Sequence, residues 1–430
     1  MPSDLDPSTL VTPDELDRLR ATVAAGLPAY LDELAALVAI DSGSGDLAGL
    51  EQVAVRVVER LRALGARVEV ERDPVHGPAV VGRFGGPARQ PGEAPILLVG
   101  HLDTVYPAGT AAHRPFEIRD GRALGPGVAD DKGGLLAGLA ALAALRALGE
   151  RGSPTWPLPV TVVANPDEEV GSPASTPIIA RLAAEHAVCL VLECARANGD
   201  IVSARKGNLH LRIDLQGRAA HAGVEPEKGR SAVLAAAGLV VALHGLSGRW
   251  PGVTVNVGVI EGGTRPNVVP ERARLEVDVR AADRASLVAA EAEIRRLAAA
   301  PSVPDVEATV TELARHWPME RLPATDHLVR TAAGLARRLG FPLRDAATGG
   351  ASDGNTTAGL GLPTLDGLGP IGGGDHSPEE YLEVDSVAPR TTLLAALVLA
   401  LARDPTVAAW RAADGDARSG EGPPRTNRPG

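Results

Sequence analysis

The sequence predicts an α/β protein: a mixed, mostly parallel sheet with helices on both faces, interrupted by a small inserted domain. Three observations carry this. Short apolar runs alternate with helical periods from the N-terminus to Leu192, the pattern of a parallel sheet with crossover helices. After Gly207 the order becomes β-α-β-β-α-β, that of a ferredoxin-like sandwich. After Arg321 the first pattern resumes. A chain of 430 residues also exceeds what one compact core holds.

The elements follow in order. Leu16, Leu19, Val23, Leu27, Leu31 and Leu34 recur at helical spacing and predict a helix over 14–40; a second covers 50–64. Strands are predicted at Val68–Val70, Ala79–Arg83, Ile96–Val99, Val160–Ala164 and Val188–Leu192, with helices at 133–148 and 176–185. The insert reads as strand Leu209–Leu215, helix 229–246, strands Val253–Ile260 and Ala273–Val279, helix 283–298 and strand Val306–Leu313. Helix 326–339, strands 343–347 and 363–367 and helix 385–402 complete the chain. The expected domains are 1–206 and 320–411 for the α/β part and 207–319 for the insert, with a disordered tail at 412–430.

The net charge is −11 and only ten rings (four Trp, three Tyr, three Phe) are present. Nucleic acid wants clustered Lys/Arg and stacking rings, so it is excluded as a partner. The first twenty residues are acidic and polar, unlike a secretory signal. Apolar runs such as Leu135–Leu148 are broken before membrane-spanning length, so no membrane partner is expected. Cys189 and Cys194 are an odd number apart at a strand end, which argues against a bridge. A reduced, cytoplasmic protein is the expectation.

Five segments carry chemistry, most of them just past a strand's C-terminal end, where open α/β sheets place their sites. His101 and Asp103 are two apart, so an extended backbone points both to one side. A ligating imidazole typically donates its other N–H to such a carboxylate; a polar strand end is the plain alternative. In the run from Gly125 to Gly134 (GPGVADDKGG), Asp130 and Asp131 would repel a phosphate and favour cations, although a helix cap fits Asp131 well. Asp167, Glu168 and Glu169 follow the strand Val160–Ala164 and are either a solvated turn or a site. Glu193 ends a buried strand, which is costly unless the carboxylate is paired or metal-bound. Finally, a Gly-rich loop surrounds His376.

Two His and several carboxylates form the N/O donor set of zinc, with cobalt or manganese also suited. No Cys-x-x-Cys pair exists, so a structural zinc finger is excluded. Two divalent cations would be balanced by Asp130, Glu169, Glu193 and one hydroxide, leaving Glu168 to carry protons.

With these motifs in this order over roughly 15–405, the sequence resembles the di-zinc aminoacylase and carboxypeptidase family, which includes glutamate carboxypeptidase, succinyl-diaminopimelate desuccinylase, acetylornithine deacetylase and carnosinases. The resemblance implies that His101 and Glu193 hold one metal, Glu169 and His376 the other, and that Asp130 bridges them. It implies Asp103 as the orienting carboxylate, Glu168 as general base, and a cis peptide bond between Asp130 and Asp131. The insert resembles the family's lid and dimerisation domain, which implies a homodimer. There His221 resembles a residue that reaches the substrate carbonyl. Asn267 and Arg280 resemble groups that hold the carboxylate of a small or short-peptide substrate, the loop holding Ser352 and Asn355 resembles one that lines it, and Arg321 is a further candidate for binding it. One departure stands out. Glutamate carboxypeptidase-like members carry Arg-Pro near the lid's end, where this chain has Trp317-Pro318 with Arg321 three residues on. Glutamate specificity is therefore not carried over. The expected reaction is hydrolysis of an amide beside a carboxylate by a two-metal-activated water; the alternatives are an N-acyl-amino-acid deacylase and, remotely, a non-catalytic binding protein.

Overall fold

Ile96–His101 is apolar through its first four residues, so both of its faces must be covered. The side chains divide accordingly. Ile96 and Leu98 enter the large core under the long helices, while Leu97 and Val99 enter a smaller one with Ile178, Ile179 and Leu182. The structure is a computed structural model and describes residues 6–85, 94–149 and 158–410; the tail expected at 412–430 lies outside them.

The chain divides into two compact units. The first comprises Met1–Ser203, Leu322–Ala346 and Leu360–Gly430; the second comprises Ala204–Arg321 and Ala347–Gly359. The first unit's main sheet runs Arg67–Asp73, Gly77–Phe84, Val160–Asn165, Ile96–His101, Val188–Val191, Thr364–Leu365. The last four strands are mutually parallel and the first two antiparallel. Helices cover both faces, as the strand runs predict. The helix Pro13–Val38 starts at a capping box in which Thr12 and Glu15 satisfy each other's amides. Its C-terminal end is closed by Lys132. That buried ammonium donates to the Leu37 and Ile40 carbonyls at 3.0 and 2.8 Å, and burial brings its pKa down to about 8.

Two helices, Pro13–Val38 and Val384–Arg403, are long and apolar enough to cross a membrane by length and composition. Both turn residues into the first unit's core, Leu16, Leu19 and Leu34 from one and Leu393 to Leu401 from the other.

The second unit's sheet runs Thr254–Gly262, Arg272–Ala281, Gly207–Gln216, Glu307–His316, all antiparallel. Leu209, Leu211, Ile213 and Leu215 alternate into a core with helices Ala232–His244 and Arg284–Ala298. The segment 347–359 was assigned to the α/β part and belongs here instead. Its ties are local: the Lys206 amide donates to Thr348, Arg280 Nη1 to Gly349, and Asn355 Nδ2 to Lys206 and Trp317.

Candidate metal centre

Three adjacent parallel strands end together and deliver acidic or imidazole groups to one place. His101 closes the central strand; Asp167, Glu168 and Glu169 follow its neighbour on one side, and Glu193 follows the other. Asp130 arrives on the loop before the helix Lys132–Leu148. At Gly134 any Cβ would strike the Leu192 carbonyl, so glycine lets this helix start lie on the strand end that carries Glu193. His376 arrives from a hairpin between the short strands Gly372–Gly373 and Tyr381–Glu383, with φ 62°, a left-handed backbone uncommon outside glycine. The Asp130–Asp131 peptide bond is cis, as the resemblance implies.

The side chains converge. His101 Nε2 lies 2.9 Å from Asp130 Oδ1 and 3.6 Å from Glu193 Oε1. His376 Nε2 lies 3.2 Å from Asp130 Oδ2 and 3.1 Å from Glu169 Oε2. Donor atoms of His101, Glu168 and Glu193 lie within 4.8 Å of one another, as do those of His101, Asp130 and Glu169. Asp103 is wholly buried. It faces His101 Nδ1 at 3.3 Å, accepts the Glu168 and Glu169 amides at 3.1 Å each, and accepts the Ser44 hydroxyl at 2.7 Å. It therefore fixes the His101 ring and the Glu168–Glu169 turn together.

Crowding shows in the acidities. Burial and the Asp130 charge push Glu169 up to about 7, and the same two causes push Glu193 well above the carboxylate range. Burial also works against the charge on Asp130, but hydrogen bonds from both histidines outweigh it and hold that carboxyl low. His376 is raised to about 9, chiefly by its hydrogen bond to Asp130. Among the described residues, Glu169 Oε1 is buried without a hydrogen-bond partner.

The donor set fits divalent ions. A tetrahedral ion with bonds of about 2.0–2.1 Å separates its ligand atoms by about 3.3 Å, close to the gaps between each histidine and its carboxylates. Each half offers one histidine, one terminal carboxylate and one oxygen of Asp130.

Sequence reading missed the supports. Glu380 is buried and accepts the amides of Gly127, Ala129 and Asp130 at 3.0, 2.9 and 3.1 Å. The hydroxyl of Tyr106 and the guanidinium of Arg114 donate to the Ser377 carbonyl beside His376. The signal for Glu380 was the second acidic residue closing the His376 loop.

The remaining predicted residues lie in the second unit. The loops of His221 and Asn267 are paired: the Ala222 amide donates to Asn267, and the Val269 amide to Ala220. Both side chains are exposed. His221 Nδ1 accepts the Gly223 amide at 3.1 Å, so a neutral ring carries its proton on Nε2, an outward donor. Arg280 donates from Nε to Asp278 and from Nη1 to Gly349. Arg321 is exposed, and Ser352 is buried with Oγ accepting the Gly354 amide. Asn355 is a correction. It is fully buried, Nδ2 donating to Lys206 at 3.1 Å and Trp317 at 2.7 Å and Oδ1 accepting the Ser352 amide, so it ties backbone rather than facing substrate. Trp317, in place of the family's arginine, has the guanidinium groups of Arg284 and Arg315 over its ring at 4.0 and 4.8 Å.

A model of the family described as Peptidase family M20/M25/M40 matches residues 97–400. The chain is 30% identical to carboxypeptidase G2 of Pseudomonas sp. (strain RS-16) over 379 residues, 87% of this chain and 89% of that protein. It is 31% identical over 201 residues to acetylornithine deacetylase of Myxococcus xanthus, 44% of this chain and 50% of that one. Among solved structures, aminopeptidase PepT from Bacillus cereus ATCC 10987 is similar with a TM-score of 0.70 and 25% identity, covering 87% of this chain and 98% of that chain.

Proposed function

The chain belongs to peptidase family M20/M25/M40, and on that premise we propose that it hydrolyses an amide bond beside a carboxylate in a small or short-peptide substrate, using two Zn2+ ions bridged by Asp130. Co2+ or Mn2+ suits the same donors. One observation carries the reading: Asp130 turns one oxygen to His101 and the other to His376, each beside its own glutamate. In this reading His101 and Glu193 hold one ion, and Glu169 and His376 the other.

Bound there, the ions would supply Lewis acidity and a water that ionises near neutral pH. Glu168, whose carboxylate lies near His101 and Glu193, takes that water's proton as the water oxygen bonds to the amide carbon. It returns the proton to nitrogen as the C–N bond breaks, leaving an amine and a carboxylic acid. Asp103 holds Glu168 through its amide and His101 through its ring. His221 donates from Nε2 to the developing oxyanion, a contribution of about 10²–10³ in rate. Arg280 receives the substrate carboxylate through Nη2, while Asn267, whose loop is paired with that of His221, acts beside His221; Arg321 and Ser352 line the substrate.

Carboxypeptidase G2, similar over most of both chains, favours an exopeptidase acting at a C-terminal amino acid. The partial likeness to acetylornithine deacetylase favours the second reading, an N-acyl-amino-acid deacylase. A hydrolysis screen of dipeptides, N-acyl amino acids and N-carbamoyl compounds with the zinc-loaded protein separates them. Release of C-terminal amino acids from dipeptides is expected. Turnover of N-acyl amino acids alone establishes the deacylase, and no turnover with Zn2+, Co2+ or Mn2+ removes both. The protein is further proposed to be a cytoplasmic homodimer, joined through the second unit.

A further inference from the structure

We infer that Glu380 is a positioning residue that holds Asp130 and His376, two of the three ligands of one half of the centre, at their working separation. The inference rests on the reading above that these side chains bind an ion.

Asp130 stands on a loop with glycines at 125 and 127, whose backbone freedom gives the loop little intrinsic rigidity. One carboxylate fastens it from the His376 loop. Three neighbouring amides, those of Gly127, Ala129 and Asp130, all donate to Glu380, with Oε1 taking two and Oε2 one. An ionised carboxylate suits this because it accepts only and offers about four lone-pair sites. The Tyr106 hydroxyl lies against the same carboxylate and donates to the Ser377 carbonyl at 2.8 Å. The backbone of Glu380 closes the other side, its amide donating to Ser377 as well, at 3.3 Å. Between these ties sits His376 at φ 62°, a conformation that persists only where its surroundings enforce it. One residue thus sets the Asp130 loop with its side chain and the His376 hairpin with its main chain. The 3.2 Å gap between His376 Nε2 and Asp130 Oδ2 follows from both. The other half of the centre, His101 and Glu193, is carried by strand ends and owes Glu380 only its share of Asp130.

Glu380→Gln keeps the shape but turns an NH2 donor toward amide donors. The metal-free chain, this variant and His376→Ala are each titrated with ZnCl2 by calorimetry, beside thermal unfolding of the metal-free forms. Wild type should bind in two steps, and His376→Ala should identify one by losing it. Glu380→Gln should weaken that same step by roughly 10–100-fold, the usual scale for groups that orient ligands, and the other step less. Two steps of wild-type affinity overturn the inference. So does equal weakening of both, which a general loosening of the fold would give. If Glu380→Gln yields no folded protein, Glu380→Asp, which keeps the charge but withdraws the oxygens by one methylene, is read by the same criteria. If His376→Ala keeps both steps, the metal reading itself fails and takes this inference with it.

Discussion

Glu168 and Glu169 are neighbours in sequence with different surroundings. Glu169 is pushed up to about 7 by burial and by Asp130, and one of its oxygens is buried with no hydrogen-bond partner among the described residues. That suits a ligand awaiting an ion. Glu168 is tied by its amide to Asp103, and its carboxylate lies near both His101 and Glu193. That suits a proton carrier. Glu168→Gln is therefore expected to lower kcat by about 10²–10⁴ with metal content unchanged, whereas His376→Ala should lose metal. Metal analysis beside steady-state rates checks both; a Gln variant near wild-type rate contradicts the base assignment. The converging residues were legible because each sits at a strand end or in a Gly-rich loop, where an acidic or imidazole group needs a reason. Glu380 was not, because a carboxylate that accepts backbone amides leaves no side-chain partner to read. Asn355 was misread for the converse reason: its partners are carbonyls at Lys206 and Trp317, remote in sequence.

At the scale of elements, the N-terminal helix Pro13–Val38 is fastened at both ends, by the Thr12–Glu15 capping box and by Lys132. Glu15 also pairs with Arg403 of the C-terminal helix at 2.7 Å, and this pairing above all lowers its pKa to about 2. The folded value lies below the ordinary value of about 4.3, so the unfolded chain binds the proton more readily. The contribution is complete above about pH 5 and disappears as pH falls toward 2. The urea midpoint of wild type should exceed that of Glu15→Gln at pH 7, and the difference should shrink at pH 3. A difference that persists or grows there contradicts the pairing. Long helices and the central strands were legible because their periods run over enough residues to show. The sheet of Glu117–Arg119, Arg122–Leu124, Tyr381–Glu383 and Gly372–Gly373, which presents His376, was not. Strands of two or three residues are too short to display alternation.

For the whole molecule, the question is what covers the outer side of the second unit. Its edge strand Thr254–Gly262 exposes Ile260 by 53%, and the helix Ala232–His244 exposes Leu234 by 63% and Val241 by 76%. An open strand edge beside an apolar helix face suits a two-fold contact between copies. If His221 acts on the partner's substrate, inactive Glu168→Gln and His221→Ala homodimers should regain activity once subunits exchange, because one site then holds both intact groups. No recovery after proven exchange, or a fully active monomer, contradicts this. The insert's β-α-β-β-α-β order was legible from periodicity. The membership of 347–359 was not, since hydrogen bonds from residues remote in sequence, among them Lys206, Arg280 and Trp317, place that segment. The central claim is that one carboxylate, Asp130, joins two ions, and anomalous diffraction at the zinc edge from crystals grown with Zn2+ tests it most directly. Two peaks per chain about 3.5–4 Å apart are predicted, one at His101 and Glu193 and the other at Glu169 and His376, with Asp130 between them. A single peak, or a pair that does not share Asp130, would contradict it.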